Sequence, residues 1–175
     1  MSELSGSRFV PTKILLPIDF STSSYAALET ATELASHYGA EIYLLHVVPM
    51  FPDSTTSEMP IQTYPEQAYL RDARSYAGKK LASCVATLVA KSVKVHSMVE
   101  VGNDVSGSIM EIIERHHIDM VVLSTHGISG WKPLIFGSIA EKVVKLVECP
   151  LLLLRAARTI PASVHSSSDL VPALI

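Results

Sequence analysis

The segment STHGISGWKPLIFGS, Ser124 to Ser138, gathers the residues of this chain best suited to hold a ligand. Gly127 and Gly137 stand nine residues apart, with Gly130 between them, and Gly137-Ser138 opens the helix-like run GSIAEKVVKLVE. The first turn of a helix presents N–H groups without intrahelical partners and a partial positive charge, so phosphate is a natural ligand there. A glycine just before it lets an anion reach the backbone without meeting a Cβ. The Ser138 hydroxyl adds a donor. A second reading gives the same residues to folding alone: Ser138 and Glu141 match an S-x-x-E capping box, with Gly137 only turning the chain. The Gly127 and Gly130 pair, directly after an apolar run, tips the balance towards a cradle, because a plain connection needs only a few residues.

Other phosphate and metal motifs are absent from the sequence. GNDVSGS (Gly102 to Ser108) has the spacing of a P-loop but lacks its lysine, and no GxGxxG occurs. No H-E-x-x-H or Cys/His cluster points to a metal. Phosphoryl transfer needs charge neutralisation on the leaving oxygens, and Lys132 is the only cation near the loop in sequence. Fast turnover is therefore not indicated. Asp19 is read as a site residue at a strand tip, with a turn or cap role as the alternative. His46, inside an apolar run, reads as a core histidine with its hydrogen bonds satisfied. His126 is left between phosphate contact and strand end, and His116-His117 suits a helix C-terminus. Trp131 lies in the loop, to cover a ligand or meet a partner.

The elements that must position these residues alternate along the chain. Apolar strand-like runs cover Thr12 to Ile18, Ala40 to Val48, Ile118 to Thr125 and Cys149 to Arg155. The run from Val93 to Val101 alternates apolar and polar, as a strand near a sheet edge does. Helical spacing appears between them. Tyr25, Leu28, Ala31, Thr32 and Ala35 lie on one face, with Ser21 fitted as cap and Gly39 just past the end. Leu81, Val85, Leu88 and Val89 mark a second helix within 66–91, and Ile109, Ile112 and Ile113 a third. Residues 49–65 carry four prolines and read as a long excursion. Strands separated by helices predict an α/β fold: an open, five-stranded, mainly parallel sheet with helices on both faces. Ligands bind such sheets at the carboxyl ends of the strands. Asp19, His46 to Val48, Gly102, and Ser124 to Gly127 all fall there.

Composition narrows the function. The chain has 175 residues, enough for one ordinary domain. The expected division is an N-terminal arm (1–8), one domain (9–156) and a Ser/Pro/Ala-rich tail (157–175). A net charge of -3 and a pI near 6.1 offer no field for nucleic acid. No apolar run has the length of a membrane span, and the N-terminus lacks a secretory h-region. Cys84 and Cys149 stand far apart and read as reduced thiols, so the expected location is cytoplasmic.

On these residues together the sequence resembles the nucleotide-binding branch of the universal stress protein family. That branch is similar to Gly-x2-Gly-x9-Gly-Ser after the fourth strand, and Ser124-x2-Gly127-x9-Gly137-Ser138 matches all but the first glycine. ILLPIDFS (Ile14 to Ser21), LLHVV (Leu44 to Val48) and GSIAEKVVKLVECPLLLLR resemble the family's first strand, second strand and closing helix and strand. The resemblance implies a fold like that of the adenine nucleotide alpha-hydrolases. It also implies an adenine nucleotide, most often ATP with Mg, or AMP or ADP, in the cleft. The implied contacts are Pro17, Asp19 near ribose or phosphates, the Val47 backbone near adenine, and Gly102 near the ribose. Ser124, His126, Gly127, Gly130, Gly137, Ser138 and the Ile139 N–H complete the set, the last members on phosphates. A homodimer through the last strand, Pro150 to Arg155, is implied too, and its apolar run suits edge pairing. The expected function is a dimeric stress-response sensor or switch that binds ATP and hydrolyses it slowly at most, without catalytic residues. The alternative is a nucleotide-independent dimeric stress protein acting through protein partners, which Ser124 in place of glycine favours.

Overall fold

The computed structural model describes residues 9–50, 66–125 and 137–155. Within them the chain runs β1 (Lys13–Pro17), α1 (Thr22–Tyr38), β2 (Glu41–Val48), α2 (Glu66–Ala90) and β3 (Val95–Val101). It continues through α3 (Val105–His116), β4 (Met120–Ser124), α4 (Ser138–Leu146) and β5 (Leu151–Leu154). The strands form one sheet in the order β3-β2-β1-β4-β5, and every neighbouring pair is parallel. The alternating run β3 and the short run β5 take the edges.

Alternation along each strand divides the core in two. Ile14, Leu16, Ile42, Leu44 and Val122 pack under α1 and α2. Leu15, Tyr43, Leu45, Val121 and Leu123 pack under α3 and α4. The strands read as unbroken apolar runs because both faces are covered. Ser21 caps α1, its Oγ accepting from Ser24 N at 3.2 Å, and Gly39 ends the helix in the left-handed region at φ 70°. Two helix-face assignments need correction. Tyr25 is 36% exposed, and Ser24 and Ala27 join the buried stripe in its place. Val89 is 59% exposed, whereas Ala77 and Cys84 are buried beside Leu81 and Leu88.

The sheet changes direction between β1 and β4, and their pairing there is short. β1 is in register with β2 from Lys13↔Glu41 to Pro17↔Leu45, but with β4 only at Ile14↔Met120 and Leu15↔Val121. Successive residues of a parallel strand aim their backbone groups at alternate neighbours. Ile18 N donates to Leu45 O at 2.8 Å, so Ile14, Leu16 and Ile18 face β2. Lys13 O accepts from Asp119 N at 3.2 Å, so Lys13, Leu15 and Pro17 face β4. Pro17 has no N–H to give, and the ladder ends beneath it.

The opposite end of this strand pair is pinned by Asp119. Its carboxylate accepts from Thr12 N at 2.9 Å, from Thr12 Oγ1 at 2.5 Å and from Lys13 N at 2.9 Å. At the same end of the edge, Lys94 Nζ donates to Glu41 Oε1 at 2.6 Å and His96 Nε2 lies 2.9 Å from Oε2. The Lys94 bond first, then the His96 bond, hold the Glu41 carboxyl below its ordinary range.

Asp119→Ala is expected to cost about 2 kcal/mol of stability, because backbone donors lose a charged acceptor; a lower urea midpoint at unchanged slope would show it. A depressed folded-state pKa contributes stability above the unfolded value and loses it as pH falls through the folded one. Urea midpoints taken from neutral pH to about pH 3 should therefore fall slightly less steeply for Glu41→Gln than for the parent. The difference is small because the pair is solvent-screened.

Candidate functional site

In an open parallel sheet the crevice lies at the carboxyl ends of the strands flanking the switch point. Here those ends are the tips of β1 and β4, with β2 and the start of α4 alongside. After Pro17, Ile18 is buried and Asp19 begins a tight turn. Asp19 Oδ1 accepts from Ser21 N at 3.0 Å and from Ser21 Oγ at 2.6 Å. Between them Phe20 takes φ 64°, a conformation unfavourable for a bulky L-residue. Asp19 thus shapes the turn at the carboxyl end of β1, which is the turn role of its two readings.

At the tip of β2, Val48 O accepts from Gly102 N at 3.0 Å, which joins β2 to the end of β3. A Cβ on Gly102 would stand 3.4 Å from Ser108 Oγ. Asn103 Oδ1 accepts from Met50 N at 3.0 Å and ties the same two ends together. Even-numbered residues of β2 bond to β3, so Val47 aims its N–H and C=O towards the β1 side. It lies beyond the last β1–β2 bond. His46 is half-buried, with Nδ1 2.7 Å from Ile18 O, as expected of a satisfied core histidine.

Thr125 fixes α4 against β4. Its N–H donates to Leu154 O at 2.9 Å, and its C=O accepts from Gly137 N at 2.9 Å. Gly137 is the N-cap of α4 at φ -57°, so its role is not a left-handed turn. A Cβ there would meet Thr125 O at 3.4 Å. No side chain caps this helix. Ser138 sits one residue inside the observed cap, and Glu141 reaches forward to Lys145 Nζ at 2.7 Å rather than back. That bond holds the Glu141 carboxyl below its ordinary range. The capping-box reading is therefore replaced by a bare glycine cap, and among the described residues no side chain caps the first-turn amides of α4.

The structure thus brings Pro17, Asp19, Val47, Gly102, Ser124, Gly137, Ser138 and Ile139 to one edge of the sheet. His126, Gly127 and Gly130 lie outside the described residues, as do Trp131 and Lys132. Sequence reasoning missed Thr125, which is buried and anchors α4; a hydroxyl residue just after an apolar run was its only signal. Among the described residues no cluster of His, Cys, Asp or Glu could hold a metal ion. Among them, too, no helix is long and apolar enough to cross a membrane.

Residues 11–155 match the model of the universal stress protein family. The chain belongs to this family. It is 29% identical over 144 residues to Universal stress protein MJ0531 of Methanocaldococcus jannaschii, across 82% of this chain and 81% of that one. It is 30% identical over 141 residues to Universal stress protein A homolog 1 of Coxiella burnetii, across 79% and 92%. The solved structure of MJ0577, also from M. jannaschii, matches with a TM-score of 0.73 at 24% identity, over 86% of this chain and all of that one. A family member from Arabidopsis thaliana solved with AMP bound matches at 0.59 and 20% identity, over 85% and 94%. Members solved with dAMP (from Archaeoglobus fulgidus) and with cAMP match at 0.56 and 0.58, with identities of 18% and 16%, each over at least 83% of this chain and 98% of the other. At these identities the structural likenesses establish the universal stress protein fold.

Ser21→Ala should destabilise the protein by about 1 kcal/mol, since it removes the α1 cap. Ser138→Ala should leave thermal stability nearly unchanged, because Gly137 is the cap. Thermal melts of the two variants against the parent check this contrast.

Proposed function

We propose that this protein binds an adenine nucleotide at the carboxyl edge of its sheet and acts as a dimeric sensor or switch. The observation that carries the reading is the start of α4. A bare glycine cap, tethered to Thr125, presents uncapped first-turn amides beside the split between β1 and β4. Phosphate fits such a helix start by charge and by hydrogen bonding. The backbone N–H and C=O of Val47 offer a donor and an acceptor to a purine edge, and Gly102 closes the same strand end on Val48 O. The family members solved with AMP, dAMP and cAMP support adenine as the base.

ATP with Mg is the ligand of choice in this reading, with Asp19 at the tip of β1 as the carboxylate that would meet the metal-bound phosphates. Turnover is slow at most, because the described crevice contributes amides and hydroxyls rather than a lysine or arginine clamp. Dimerisation runs through β5. Its leucines, Leu151 to Leu154, are all half-buried, and among the described residues no strand pairs with their outer side. An apolar edge of that kind is a template for a second copy.

Mass spectrometry of small molecules released by denaturation, followed by titration with Mg-ATP, AMP and GTP, tests the ligand. Released or titrating adenine nucleotide is the expected result; none at millimolar concentration overturns it. Gly137→Val should abolish that binding with an unchanged circular dichroism spectrum, because its branched side chain covers the helix start. Full binding by this variant would place the phosphates elsewhere.

A further inference from the structure

The imidazole of His46 occupies a place that a regular sheet gives to a backbone amide. One more rung of the β1–β2 ladder would set Val47 N–H on Ile18 O, just as Leu45 O takes Ile18 N. His46 Nδ1 lies 2.7 Å from that carbonyl instead. A carbonyl only accepts, so Nδ1 carries the proton. Among the described residues neither the N–H nor the C=O of Val47 has a hydrogen-bond partner.

The ring is held for this task. Phe20 lies against it with centroids 4.4 Å apart and planes tilted by 31°, and Tyr76 meets Phe20 edge-on at 6.4 Å. Phe20 reaches His46 from the left-handed backbone conformation, which persists only where surrounding contacts over-determine it. Unpaired backbone groups on a half-buried strand are unfavourable, and a strand end left this way is a candidate for ligand contact.

We infer that His46 is a positioning residue: by donating Nδ1–H to Ile18 O it stops the β1–β2 ladder one rung early and reserves the Val47 amide and carbonyl for a ligand. That ligand is a purine presenting a ring nitrogen beside an exocyclic amino group. The choice of adenine rests on the reading above; the role of His46 in ending the ladder does not.

Three variants separate the possibilities. His46→Leu removes the donor, and His46→Gln carries its amide one carbon too far. His46→Asn sets an amide nitrogen close to where Nδ1 stood. Amide hydrogen exchange by NMR reads Val47 without any ligand. Its N–H should exchange readily in the parent and in His46→Asn, and at least about tenfold more slowly in the Leu and Gln variants as the extra rung closes. Calorimetric titration with ADP should show binding weakened about tenfold by Leu and Gln and within about threefold of the parent for Asn. If the Leu variant does not fold, the Asn and Gln pair carries the comparison. Equal Val47 exchange in all the folded proteins overturns the inference, whatever ADP does. The predicted exchange pattern without ADP binding to the parent supports the positioning role and overturns the adenine reading alone.

Discussion

Pro17 has no N–H to give to β4, and the shape of the candidate site depends on that missing donor. β1 is the central strand, with Ile14, Leu15 and Leu16 wholly buried, where proline is rarely tolerated. At its amino end Asp119 holds β1 and β4 together through the Thr12 and Lys13 amides. At its carboxyl end the registered pairing stops after Leu15↔Val121. The strand pair is therefore fastened below and released above. Because the chain also changes direction here, the flanking helices α1 and α4 leave on opposite faces of the sheet. The lost ladder bond is worth about 1 kcal/mol, which the charged bonds to Asp119 offset.

The tips around this gap are finished by the chain's own polar groups. Ile18 O takes His46, Asp19 takes Ser21, Thr125 bonds both β5 and Gly137, and Gly102 closes on Val48. Among the described residues, what remains to be met is specific: the first-turn amides of α4 and the backbone pair of Val47. The one carboxylate in that first turn, Glu141, is drawn along the helix to Lys145. Its charge is thereby compensated within the helix, which lowers the repulsion an anion would otherwise meet there.

Much of the fold was legible because a parallel sheet covered on both faces writes its strands as apolar runs. The α1 caps were legible for a different reason: Ser21 and Gly39 each do a local job that few other residues do well. The faces of α2 were not. That helix is long and its apolar residues are diluted by alanine, so Val89 reads as inward beside Leu88 while the buried Cys84 goes unmarked. The capping box failed by a single residue. Thr125 O already takes the Gly137 amide, so the helix begins earlier than its S-x-x-E pattern suggests. His46 was legible as a satisfied histidine but not as the group that ends a ladder, because its partner lies on another strand.

Ser124, where the family pattern has glycine, can be placed by the same strand logic. Val122 packs towards α1 and α2, and alternation puts Ser124 on that face while Thr125 turns to the other. The bare start of α4 belongs to the opposite face, where Ala140 and Val143 pack with Leu123. The added Cβ and hydroxyl thus stand across the sheet from the start of α4, on the side where α1 begins. A change there bears on the space between the strand tips and leaves the helix start as it was. In the proposed reading, serine at this position therefore changes how a ribose would be met and leaves the phosphate contacts at the start of α4 in place.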